Sequence, residues 1–127
     1  MYFLAGDTTG TSDDLAFWQY TQSNNGWYQR QTLPGTIGAG VALTVGERDG
    51  VSVFYGIRGG GSTELYVYSL SANAWTALAS QPFLSDLGVA APWGAGAGLA
   101  WGGGGYLYAL SGGSGTFFLR YRVAGSL

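Results

Sequence analysis

The chain is 127 residues long, enough for one ordinary domain, and contains neither cysteine nor histidine. That excludes disulfides, thiolate chemistry and the side chain that most often serves as general base, metal ligand or pH switch. Charged residues are 9% of the chain and the net charge is −2 with five basic residues, which leaves no footprint for nucleic acid; low charge with many apolar residues is also the reverse of a disordered composition.

In chain order, residues 2–5 (YFLA) read as a strand that begins at once. This segment has no basic flank and too short an apolar run for a signal peptide, and no stretch approaches a membrane span, so a cytoplasmic location without membrane contact is the default expectation. Residues 6–14 form a polar loop, 15–21 a second strand, and 23–26 a turn whose Asn25-Gly26 pair is a strong hairpin signal. Residues 27–32 form a third strand, closed by Pro34-Gly35. The small, apolar, glycine-punctuated run 38–45 (GAGVALTV) suits a strand in a crowded place where backbones converge. A charged turn at 47–50 leads to a strand at 51–57, and strands at 65–70 and 75–79 complete a set of four. Within 65–70, Leu65, Val67 and Ser69 share one face, and Tyr66, Tyr68 and Leu70 the other. A connector at 80–87 holds Pro82; the run 94–101 (GAGAGLAW) has the character of 38–45, and a glycine turn at 102–105 opens a strand at 106–110. A loop at 112–115 precedes the last strand, 116–123. No segment holds a 3.6-residue apolar period over about eleven residues, so no helix is expected.

The phrase YGIRGGGSTELYVYSLSANAW, from Tyr55 to Trp75, returns in other parts of the chain. Tyr55 and Tyr108 are 53 residues apart, as are Tyr68 and Tyr121; Tyr20 and Tyr68 are 48 apart, as are Trp27 and Trp75. One domain of three repeats follows: 1–37, lacking its first strand; 38–87; and 88–127, lacking its fourth.

On these residues the chain resembles the kelch-type β-propeller family. The glycine doublets Gly59-Gly60 and Gly112-Gly113, the tyrosines Tyr20, Tyr68 and Tyr121, and the tryptophans Trp27 and Trp75 stand where that family's blade carries its signature. The resemblance implies an all-β fold of four-stranded antiparallel propeller blades, about two and a half to three per chain. An incomplete propeller would expose apolar blade faces, which implies self-association, with a homodimer closing a six-bladed ring as the leading arrangement. A trimer, or five blades, remains an alternative. The implied function is a non-catalytic, self-assembling scaffold or binding module for protein, peptide or glycan, with no cofactor. The alternative is a carbohydrate-active, enzyme-like site at the channel of the assembled ring.

Four residues are candidates for ligand contact. Arg58 stands beside a glycine doublet and has Glu64 or Asp86 as candidate ion-pair partners, or a bound anion. Trp93 lies in a connector, outside the repeated Trp position. Asp13 and Asp14 are paired loop carboxylates, a residue type that serves acid–base chemistry or calcium, although the segment does not fit a calcium loop. The aromatic rows are the residue types that stack on sugars or bases, but their repeat spacing fits packing between repeats better. No glycine run is followed by a helix or by Gly-Lys-Ser/Thr, so a phosphate loop is excluded, and serines without a partner base make poor nucleophiles. No metal site is expected.

Overall fold

The computed structural model describes residues 1–4, 17–34, 38–60, 64–78, 93–113 and 118–123. Ten strands fall within them: β1 (Tyr2–Leu4), β2 (Phe17–Thr21), β3 (Gly26–Arg30), β4 (Ala42–Arg48), β5 (Val51–Ile57), β6 (Tyr66–Ser69), β7 (Ala74–Ala77), β8 (Gly98–Trp101), β9 (Tyr106–Leu110) and β10 (Phe118–Arg122). Apart from one 3-10 turn at Gln22–Asn24, no helix occurs among the described residues. None is therefore long and apolar enough to cross a membrane.

The strands pair antiparallel in chain order, giving sheets β1-β2-β3, β4-β5-β6-β7 and β8-β9-β10. The turns are local. Asp49 and Gly50 close β4 to β5 with φ of 54° and 77°, the two positive angles of a hairpin turn that follows strand twist. Asn25 and Asn73, with φ of 51° and 49°, end the turns before β3 and β7; asparagine tolerates this left-handed region better than other side chains with a Cβ.

The middle sheet is buried on both sides, which is why β5 reads as a nearly unbroken apolar run. Val53, Tyr55 and Ile57 point to one face, where Leu65, Val67, Trp93, Leu107, Ala109, Leu119 and Val123 join them. Phe54, Tyr66, Tyr68 and Trp75 point to the other, against Phe17 and Leu33. Phe17 lies 4.9 Å from Tyr68 and 5.3 Å from Trp75, ring centre to ring centre. On the opposite side Trp101 stacks on Tyr55 at 5.6 Å. The alternation expected of residues 65–70 is thus present for Leu65 and Val67 on one face and for Tyr66 and Tyr68 on the other.

The glycine doublets have a local task. The Gly38 amide donates to the Arg58 carbonyl at 2.8 Å, and the Gly60 amide to Ala39 at 2.9 Å, clasping the chain ahead of β4 to the end of β5. The third sheet repeats the clasp: Gly94 donates to Ser111 at 2.9 Å and Gly113 to Ala95 at 2.6 Å. Gly59 and Gly112 sit where backbone approaches closely. A Cβ on Gly59 would lie 2.4 Å from the Ala39 oxygen, and one on Gly112 would lie 2.4 Å from the Ala97 nitrogen.

The expected propeller is not the fold. The three sheets of three, four and three strands are separate antiparallel units; none closes into a barrel or curls as a propeller blade requires. The kelch-type resemblance is corrected with it, and so is the six-bladed ring of two chains, which has no basis in such sheets. The physical reason is that the shared signature is local. Gly59, Gly60, Gly112 and Gly113 close clasps within single sheets, and Tyr68 and Trp75 fill the space between two layers. Neither task requires a curled blade.

Candidate functional site

Two of the four candidate ligand-contact residues meet at Glu64. The Arg58 Nη2 lies 3.1 Å from Glu64 Oε2, so the ion pair is made with Glu64. The same carboxylate oxygen accepts a short hydrogen bond from the Tyr66 hydroxyl. From the other side, the Trp93 Nε1 donates to the Glu64 carbonyl at 3.1 Å. Trp93 is fully buried in the core between the middle and third sheets, so its ring is not on the described surface. Asp13, Asp14 and Asp86 lie outside the described residues.

The electrostatics of this cluster keep protons in place. Burial pushes the Tyr66 hydroxyl up to about 12, the hydrogen bond to Glu64 adds to this, and the Arg58 charge opposes it. Catalytic acids and bases are tuned toward neutrality, and Tyr66 is moved the other way. Tyr66 is therefore a permanent donor to Glu64 at neutral pH. Among the described residues, no group of three His, Cys, Asp or Glu side chains could hold a metal ion.

A second arrangement lies on the outward face of the first sheet. Registers in which Phe3 faces Trp18 and Tyr20 faces Trp27 place all four rings on the side away from the middle sheet, because Phe17 occupies the inward side. Phe3 is 54% exposed and Trp27 52%. Tyr20 and Trp27 are 5.0 Å apart, and the Tyr20 hydroxyl donates to Asn25 Oδ1 at 2.7 Å. The outward face of the third sheet differs. There Tyr108 stacks on Phe118 at 5.9 Å, and the Arg120 guanidinium sits 4.7 Å over the Tyr106 ring, so its aromatics are partly engaged with one another and with a cation. A cavity of about 310 Å³ between Met1, Tyr2, Leu43, Thr44, Val45 and Phe54 is mostly apolar and lacks the convergent polar groups of a small-molecule site.

Sequence reasoning singled out Tyr20 and Trp27 as repeat residues but not Phe3, Trp18 or Asn25 as their neighbours. The usable signal was alternation: once β1 pairs with β2, Phe3 must share a face with Trp18. No ring or channel exists among the three sheets, so the scaffold or binding role assigned to an assembled ring, and the carbohydrate-active site at its channel, are both corrected. No protein-family model matches the chain, and no curated protein matches it.

Proposed function

We propose that the chain is a docking module that holds a β-structured segment of another polypeptide on the outward face of its first sheet. The observation that carries this reading is the shared outward face of Phe3, Trp18, Tyr20 and Trp27, with two of the rings half exposed. Contiguous apolar patches on soluble proteins mark interaction sites, and large aromatic anchors carry much of the energy of protein interfaces.

Magnitudes set the affinity. A large ring buries about 150–250 Å², so covering two half-exposed rings removes roughly 200 Å² from water and yields about 5 kcal/mol gross. Association costs about 4–15 kcal/mol, so these rings alone give weak binding, and added polar contacts must supply the rest. In this reading Arg58 and Trp93 hold Glu64 and the end of the middle sheet in place and do not touch the ligand. The division into repeats 1–37, 38–87 and 88–127 belongs to the same proposal, supported by one sheet in each.

A library of displayed β-hairpins panned against the wild-type chain and against the double variant Phe3→Ser, Trp27→Ser tests the reading. Both positions are half exposed, so the variant should fold, which its circular dichroism melt would check. The expected result is enrichment on the wild type alone. Equal enrichment on both proteins, or none on either, would refute it.

A further inference from the structure

The chain contains the aromatic socket of the first sheet twice, and the second copy is occupied. In the middle sheet, Tyr68 and Trp75 lie 5.1 Å apart with planes at 45°; in the first, Tyr20 and Trp27 lie 5.0 Å apart at 47°. The Tyr68 hydroxyl donates to Asn73 Oδ1 at 2.6 Å, as Tyr20 does to Asn25 at 2.7 Å. Asn73 and Asn25 share the same left-handed backbone, with φ of 49° and 51°. Two tyrosine–asparagine–tryptophan triads thus have one geometry.

What differs is the cover. Over the middle triad the Phe17 ring packs edge-on against both Tyr68 and Trp75. The backbone of Gln31 completes the fit: its amide N–H donates to Asn73 Oδ1 at 2.9 Å, and its carbonyl accepts from Trp75 Nε1 at 2.8 Å. Phe17 stands opposite Arg30 across β2 and β3, so the ring comes from β2 and the Gln31 backbone from just past the end of β3, one residue beyond the ring's partner. Trp75 is left 8% exposed, against 52% for Trp27. Among the described residues, Trp27 makes no hydrogen bond through Nε1, and Asn25 Oδ1 accepts from Tyr20 alone.

We infer that the Tyr20–Asn25–Trp27 socket takes a two-stranded β segment of a partner protein, one strand supplying an aromatic ring and the other a residue whose backbone N–H and C=O are both free. That residue's carbonyl accepts from Trp27 Nε1 and its amide donates to Asn25 Oδ1, as those of Gln31 do for the middle triad. This rests on the docking function proposed above and specifies its ligand. An intact second copy cannot present the same surface, because its Phe17 face is buried against its own middle sheet.

The test uses a cyclised hairpin peptide of residues 17–31 carrying Tyr20→Thr and Trp27→Thr, so that it offers the knob but no socket. It is titrated into the full chain labelled with 15N, and the Trp27 indole proton is followed by NMR. A saturable downfield shift is expected, lost when the peptide carries Phe17→Ala. Trp27→Phe in the protein keeps the ring but removes the donor and should weaken binding about fivefold or more, as loss of one hydrogen bond does. Asn25→Gly keeps the turn but removes the acceptor and should act in the same direction. Binding unchanged by either substitution would overturn the socket while leaving docking on the face intact. No hairpin binding, with library binders still found, would do the same. A saturable shift with a linear glucan oligosaccharide in place of the peptide would overturn it, and so would self-association of the full chain that Trp27→Phe abolishes.

Discussion

Replacing Gly112 with alanine should be far more damaging than replacing its neighbour Gly113, although both have left-handed backbones, with φ of 68° and 61°. The left-handed conformation alone costs a residue with a Cβ about 1–2 kcal/mol, and both variants carry that cost. At Gly113 the nearest atom to the new methyl is the Gly94 Cα at 3.7 Å, an ordinary contact. At Gly112 the methyl would lie 2.4 Å from the Ala97 nitrogen, 2.5 Å from the Gly94 oxygen and 2.8 Å from the Ala95 oxygen. These are backbone atoms and cannot swing away, so the segment ahead of β8 must move. Two of the bonds that hold it, Gly113 to Ala95 at 2.6 Å and Ala97 to Gly94 at 2.9 Å, involve the atoms that would be displaced. Losing both adds about 2 kcal/mol, for a total of about 3–4 kcal/mol. Urea unfolding followed by tryptophan fluorescence measures the difference. Gly112→Ala should fall about 2 kcal/mol below Gly113→Ala, which should match Gly103→Ala, where a methyl meets nothing within 4 Å. The middle clasp supplies a replicate in Gly59→Ala against Gly60→Ala, with nearest contacts of 2.4 and 3.5 Å. Equal losses at Gly112 and Gly113 would show that conformational freedom, and not close approach, is what the doublets supply.

Other outcomes follow from the same contacts. Phe17→Ala removes a fully buried ring between the first and middle sheets and should cost about 3–5 kcal/mol, measured by chemical denaturation. Arg58→Ala should cost under about 1 kcal/mol, because half of Glu64 is exposed and the clasp uses only the Arg58 backbone. Tyr66 ionises at about 12 in the folded chain instead of 10, and burial raises Tyr68 and Tyr121 as well. Unfolded tyrosines release their protons first, so stability should be fully present below pH 10 and fall as pH rises through about 12; unfolding curves flat across that window would contradict the burial of these hydroxyls. Glu64→Gln removes the negative neighbour of Tyr66 and should bring its ionisation down, read as tyrosinate absorbance against a Tyr66→Phe control.

Much of the chain's local order is a property of the sequence alone. Among the described residues, the ten strands, the absence of a long helix and the turns at Asn25-Gly26, Asp49-Gly50 and Ser71–Ala74 follow from two-residue alternation and from side chains that accept positive φ, both of which act over a few residues. The shared 48-residue spacing is also local in its effect: it places Tyr20 with Trp27 and Tyr68 with Trp75 across one hairpin each. The pairing of Arg58 with Glu64 was within reach for the same reason, since the two residues flank one loop. Tertiary structure decided what the repetition becomes. Two triads with one spacing have opposite surroundings: Phe17 and Gln31 close over Trp75, whereas nothing among the described residues forms the equivalent contacts on Trp27. Trp93, a connector residue by sequence, is buried because Glu64 and the third sheet converge on it. Closure into blades and rings depends on sheet curl and on the angle between layers, quantities set by the sum of many packing contacts. A signature of glycines, tyrosines and tryptophans satisfies clasps and interlayer contacts without fixing that angle, which is why it pointed to a propeller and the chain forms three separate sheets.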